Sequence, residues 1–226
     1  MHHEHNPYSL LSGLPLFQGM SLSEFDNVIA HVRLGFSKVE AGSDIVKSGQ
    51  PVSGLLFILS GEAEAENLSD DGAYSVREQL PLPCVLQPER LFGLTQRYVC
   101  RVRATSDCNL LLLEKGEVTR IANESQVFRL NMLNIICTQV QRMNRRPWRH
   151  QPEGIRRKIA AFVECRCMRP AGRKVVGIGM VRLAREIGES RLNVSRELHR
   201  MQADGLIELS REMIVVPRLE RLLLGE

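Results

Sequence analysis

No stretch of this 226-residue sequence holds the roughly 18 consecutive apolar residues that a bilayer-spanning helix needs. The longest runs, "LLFIL" at 55–59 and the leucines from Leu110 to Leu113, have the length of core strands, so no membrane partner is expected. The amino terminus also lacks a Lys/Arg-led segment followed by an apolar stretch, which argues against a secretory leader and for a cytoplasmic chain with reduced thiols. Its six cysteines (84, 100, 108, 137, 165 and 167) are scattered. Only Cys165-x-Cys167 is close, in a stretch whose apolar spacing reads as helix, and a four-thiolate cluster needs tighter grouping. Histidine is missing altogether from 37 to 114, which removes the His-x-His constellation of a metalloenzyme built on a double-stranded barrel. His2, His3 and His5 in "MHHEH" read as a terminal segment rather than a metal site. No catalytic and no metal-binding residues are expected, and the sequence leaves the cofactor open.

Charge of one sign is also unevenly absent. Residues 1–144 carry 12 Lys+Arg against 16 Asp+Glu, whereas 145–226 carry 18 against 10, so a net −4 segment precedes a net +8 segment. The second is the part suited to a polyanion.

From Ser37 to about Glu114, short Val/Ile/Leu/Phe runs are separated by Gly42, Gly49, Pro51, Gly61 and Asp70-Asp71-Gly72, the pattern of an antiparallel sandwich or barrel. Before it, "SLSEFDNVIAHV" has helical apolar spacing with Ser21 as N-cap and Glu24 completing a capping box. Between Asn123 and Arg146 there is neither Gly nor Pro, and Leu133, Ile136, Val140 and Met143 recur at 3, 4 and 3. That is a coiled-coil seam about one and a half heptads long, made for a second copy. Leu130, Ile135 and Cys137 widen the arc, so the same helix is also expected to pack on its own barrel. "NRRPWRHQPEG" reads as a hinge. Beyond it, Pro152 and Glu153 suit a first turn, Ile155, Ile159, Phe162 and Val163 form an apolar face, and Arg156, Arg157 and Lys158 decorate the other. "RKVVGIG" reads as a strand and "GLIELSREMIVV" as two strands joined by a tight turn.

The stretch "LAREIGESRLNVSRELHRMQADGLI" carries the chemistry. Counting Met180 as position one, Ala184 falls at five, Gly188 at nine and Val194 at fifteen: a small residue where two helices touch, a glycine able to take positive φ, and a buried apolar residue in the second helix. This is helix-turn-helix spacing, with Leu183, Ile187 and Leu198 adding packing and Glu197 standing where an apolar residue is usual. Ser190 suits the N-cap of the second helix. Arg191, Asn193, Ser195, Arg196 and Arg200 then make a narrow basic face, while Val194, Leu198 and Met201 turn inward. Arginine reads guanine in bidentate fashion, for about 1–3 kcal/mol of discrimination per pair.

From about Phe17 to Val216 the chain resembles the cyclic-AMP receptor protein and fumarate-nitrate regulator (Crp/Fnr) family of bacterial transcription factors. The resemblance rests on the order of "GSDIVKSGQPVSGLLFILSGEAEAENL", a dimer helix and "IGESRLNVSRELHRMQADGLIEL". It implies an α+β fold in three parts: a cyclic-nucleotide-binding-like antiparallel β-barrel (jelly roll) over 1–120, a dimerisation helix over 121–146 and a winged helix-turn-helix over 147–226. It implies base contacts by Arg191, Ser195 and Arg196, a phosphate contact by Ser190, and a non-enzymatic homodimer whose partners are double-stranded DNA, RNA polymerase and a small effector. Leu192 stands where many members carry a glutamate that accepts from cytosine, so an unusual target sequence is expected.

The sensing half departs from the family. Cyclic-nucleotide binders show Phe-Gly-Glu and then an Arg-Ser or Arg-Ala pair; here Phe92-Gly93-Leu94 lacks the acid, Tyr98 and Val99 fall at the pair, and the loop between is shortened. A buried phosphate without a cation is costly, so cyclic AMP is not the expected ligand of this degenerate pocket, although Arg97 or Arg101 could compensate by a shift along the strand. A haem, iron-sulfur or redox-responsive regulator of the same architecture is the alternative, with His31, His150 and His199 isolated in sequence.

Overall fold

The computed structural model describes residues 7–145 and 152–224. In chain order its elements are α1 (Pro7–Ser12), α2 (Leu22–His31), β1 (Gly35–Val39), β2 (Asp44–Val46), β3 (Gly54–Ser60), β4 (Ala63–Leu68), β5 (Tyr74–Gln79), β6 (Cys84–Leu86), β7 (Arg101–Ala104), β8 (Cys108–Glu114), α3 (Lys115–Glu124), α4 (Gln126–Arg145), α5 (Ile155–Glu164), β9 (Lys174–Ile178), α6 (Met180–Ile187), α7 (Arg191–Ala203), β10 (Glu208–Ser210), β11 (Met213–Val216) and α8 (Leu219–Leu224). They fall into two compact units: 1–63, 80–99 and 103–147 in the first, 64–79, 100–102 and 148–226 in the second.

The first unit is built on an antiparallel sheet of order β1-β8-β3-β6. Both faces of β3 and β8 are apolar, so Leu55, Phe57, Ile58, Leu111 and Leu113 are almost wholly excluded from water. Phe17 anchors the helical layer, its ring 6.2 Å from Phe25, 6.2 Å from Phe57 and 5.2 Å edge-on from Phe128. Gly54 is required by close approach, since a Cβ there would overlap the Leu113 carbonyl. The capping box of α2 forms as its sequence predicts, with Ser21 Oγ accepting from the Glu24 amide and Glu24 accepting from the Ser21 amide.

The helical stretch expected to run on from Asn123 is broken at Ser125. Its backbone is extended (φ −113), its hydroxyl donates to Glu24 at 2.7 Å and accepts from the Phe128 amide, and so it starts a new helix by side-chain competition rather than through Gly or Pro. On α4 the residues that pack into the unit are Phe128 and Met132, whereas Leu130 and Cys137, expected to face the barrel, are exposed.

The second unit joins α5 to α8 with the strands β10-β11-β9-β5-β4 and the start of β7, in that order within a seven-stranded sheet. Its core includes Ile159, Phe162, Val163, Val176, Leu183, Val194, Leu198 and Met201. Helix α5 begins at Ile155 after Gly154 in positive φ (81°), two residues later than Pro152-Glu153 suggest. It ends at Glu164, so Cys165 and Cys167 lie beyond it, the first exposed and the second buried. The hairpin β4–β5 belongs to this unit although the barrel pattern in the sequence contains it; β9 offers it a free antiparallel edge. The sequence hinge at "NRRPWRHQPEG" lies largely outside the described residues, as do His2, His3, His5 and His150. No helix among the described residues is long and apolar enough to cross a membrane.

Candidate nucleic-acid interface

Helix α6 ends at Gly188, which adopts the left-handed conformation (φ 66°, ψ 40°) and turns the chain. Ser190 caps α7 by accepting from the Asn193 amide at 3.2 Å. Ala184 and Val194 are buried where the two helices touch, with Leu183, Leu198 and Met201 behind them. Arg191, Asn193, Arg196 and Arg200 are exposed, Ser195 is half-buried, and Leu192 projects into solvent at 67 % exposure. The residues assigned to a DNA face thus lie at the cap of α7 and along the arc opposite its buried Val194, Leu198 and Met201.

What the sequence left unexplained is the acid load of that helix. Glu197, in the inward register, is held from α5: Arg156 Nε donates to it at 2.8 Å, and Arg156 Nη2 donates to Asp204 at 2.6 Å. These two carboxylates hold the Arg156 guanidinium above its ordinary pKa, the Glu197 hydrogen bond acting most strongly. Lys158, one helical step on, donates to Glu189 at 2.6 Å. Three acids in or beside α7 are therefore paired from α5, and Arg191 and Arg196 make no ion pair among the described residues. Arg156 and Lys158 were legible in sequence only as a solvated face. The missed signal was Glu197 itself, a carboxylate at an inward position that requires a cation.

Leu133, Val140 and Met143 on α4 are exposed at 50, 48 and 64 %, and Ile136 is half-buried. The stripe stands unpartnered on the single chain.

The nucleotide-reading stretch is arranged differently. Phe92 and Leu94 face solvent, with the Lys115 ammonium 4.9 Å from the Phe92 ring centroid. Gly93 takes positive φ (94°), and its carbonyl accepts from Gln96. Arg97 donates to the Gly49 carbonyl at 2.7 Å. Tyr98 is buried, and burial pushes its phenol up from the ordinary value. Arg101 groups with the second unit, 4.0 Å from Glu66. His31 and His199 each place Nδ1 on the carbonyl four residues earlier in their own helix, at 3.0 and 2.7 Å. Among the described residues no three His, Cys, Asp or Glu side chains are grouped so as to hold a metal ion.

Residues 36–125 match the family described as cyclic nucleotide-binding domain. A solved regulator of the Crp/Fnr family from Eubacterium rectale aligns at 21 % identity over 93 % of this chain and 98 % of its own, with a TM-score of 0.52. The chain has the Crp/Fnr regulator fold. A second solved structure with that fold, the global regulator CLP of Xanthomonas campestris, described as c-di-GMP responsive, aligns at 16 % identity over 87 % of this chain and 99 % of its own, also at a TM-score of 0.52. No curated protein matches the chain. Within the Crp/Fnr fold the cyclic nucleotide-binding domain accounts for the strands of the first unit and the hairpin between them, and the helix-turn-helix lies in the second.

Proposed function

We propose that the chain is a homodimeric, sequence-specific DNA-binding transcriptional regulator of the Crp/Fnr type, whose sensory domain does not take cyclic AMP. One observation carries the reading. Glu197 of α7 and its flanking acids Glu189 and Asp204 are engaged from α5, which leaves Arg191 and Arg196, with Arg200 beyond them, as cations on a helix that starts with Ser190 and Asn193. An exposed helix with ordinary surface charge would pair its own arginines and acids along i,i+4; only the Arg200–Glu197 contact at 3.7 Å is of that local kind. Arg191, Ser195 and Arg196 are assigned to bases and Ser190 to a phosphate, with Asn193 and Arg200 beside them. The exposed Leu133, Ile136, Val140 and Met143 stripe is assigned to the second copy, and two α7 helices then reach half-sites about 34 Å apart. RNA polymerase and a small effector are the remaining partners of such a regulator.

Against cyclic AMP, Tyr98 and Val99 stand where the Arg-Ser pair is expected, and no acid stands at Leu94 to take a ribose hydroxyl. The redox-responsive alternative draws no support from Cys84, a half-buried thiol that desolvation pushes up to about 12.

Selection of bound duplexes from a random pool, followed by a mobility-shift titration of Arg196→Ala at fixed salt, tests the assignment. Specific binding is expected to disappear; an unchanged affinity refutes it.

A further inference from the structure

Leu192 is the one large apolar side chain of α7 that stands in solvent, while Val194, Leu198 and Met201 of the same helix are buried. A lone exposed leucine on an ordinary surface needs no explanation. This one lies on the outermost line of the helix that carries the basic residues. At about 100° per residue, Leu192 and Arg196 both fall within about 30° of the direction opposite the three buried side chains, one turn apart, with Asn193, Ser195 and Arg200 to either side. The four-residue step advances about 6 Å along the axis, close to two base-pair steps of roughly 3.4 Å. A groove that receives Arg196 therefore receives Leu192 as well.

The chemistry of that end of the helix is one-sided. The leucine side chain has no donor or acceptor, and the first turn of α7 holds no acid. Glu189, just before the cap, is already paired with Lys158 at 2.6 Å. No carboxylate among the described residues at this end is left to accept from a cytosine amino group, and an amino group pressed against Leu192 would lose its water without gaining a partner. The one apolar group on a base edge in the major groove is the C5-methyl of thymine. We infer that Leu192 is a specificity-determining residue that packs on a thymine methyl in each half-site, within about two base pairs of the base read by Arg196. The inference rests on the DNA-binding reading and names one of the bases it requires. Leu192 then discriminates twice, burying a methyl when thymine is present and stranding an amino group when cytosine replaces it. The contact neutralises no phosphate, so it adds nothing to the salt dependence of binding.

The test uses the full chain and a duplex selected from a random pool, titrated at fixed salt. Each thymine of the duplex is replaced in turn by deoxyuridine, which keeps every donor and acceptor of the base edge and removes only the methyl. At one position per half-site the replacement is expected to weaken binding about fourfold, and about fifteenfold when made in both half-sites. Leu192→Ala trims an exposed side chain without touching the core. It is expected to bind the thymine duplex about fifteenfold more weakly than the unaltered chain and to respond to deoxyuridine at that position by less than twofold. The slope of affinity against salt is expected to be equal in the two proteins. The proposal is overturned by a selected half-site without thymine, by deoxyuridine responses below twofold at every position, by a Leu192→Ala protein as sensitive to deoxyuridine as the unaltered one, or by a shallower salt slope in that variant. Failure of the unaltered chain to select any duplex fails the DNA-binding reading instead.

Discussion

The arginines of α7 and those beside the degenerate nucleotide-reading stretch, Arg97 and Arg101, have different surroundings. On α7, Arg191 and Arg196 stand in solvent with no ion pair among the described residues, because the neighbouring acids are held by Arg156 and Lys158. In the sensory stretch, Arg97 is turned onto the Gly49 carbonyl and Arg101 lies by Glu66. A guanidinium with one N–H on a protein carbonyl has its orientation set by that contact before any phosphate arrives. An exposed one with its competitors removed is ready for one. The presence of an arginine near a motif therefore says less than what the rest of the chain has done with its potential partners.

The largest expected contrast comes from truncating one arginine in each half. Arg196→Ala is expected to abolish specific DNA binding without moving the melting temperature, since an exposed side chain contributes little to stability. Arg97→Ala is expected to do the reverse, lowering the melting temperature by a few degrees through the lost Gly49 contact while leaving DNA affinity alone. Parallel mobility-shift and thermal-denaturation series check both; equal losses of affinity would erase the distinction. Next in size is Arg156→Met, which leaves Glu197 half-buried without its main cation. After allowance for partial exposure this is expected to cost about 2 kcal/mol in denaturant unfolding and to weaken DNA binding as well. Arg156→Met with Glu197→Leu is expected to recover the stability.

How much of this was legible in the sequence follows the same division. The helix-turn-helix was readable because Ala184, Gly188, Ser190 and Val194 are fixed by local rules, a close helix contact, a positive φ, a cap and a buried apolar position, and each is met in place. The capping box at Ser21 was readable for the same reason. Ser125 was not: a serine inside an apolar helical pattern breaks the helix here only because Glu24, a hundred residues away in sequence, accepts its hydroxyl. Nor was the docking of β5 on β9, since alternation shows that a segment is a strand but not which edge it joins. Arg156 was seen as surface decoration because an ion pair between α5 and α7 is long-range information.

A smaller effect sharpens the description of the DNA face. Leu192 is 67 % exposed in the first turn of α7, so replacing it touches no packing. Leu192→Glu is expected to leave the melting temperature unchanged and to move the selected duplex toward cytosine at one position per half-site, by about 1–2 kcal/mol of preference. Repeating the random-pool selection with the variant reads this directly. An unchanged consensus would remove Leu192 from the base-contacting set while leaving Arg196 in place.

The smallest expected effect lies in the first unit and depends on pH. Hydrogen bonds from the Ser21 amide, and then from the Ser125 and Ser21 hydroxyls, hold the Glu24 carboxyl below its ordinary value. A carboxyl whose folded pKa lies below its unfolded one contributes stability that is present above the unfolded value, near 4.5, and is lost as pH falls through the folded value. The unaltered chain should therefore lose a small increment of stability on acidification below about pH 4.5, and Glu24→Gln should lack that increment while being slightly less stable at neutral pH. Because Ser125 joins this carboxylate to the start of α4, Ser125→Ala should remove part of the same pH dependence and fray the first turn of that helix. Identical acid limbs in all three proteins would show that the Glu24–Ser125 contact does not set the helix break. The unpartnered stripe on α4 would then owe its starting point to the packing of Phe128 alone.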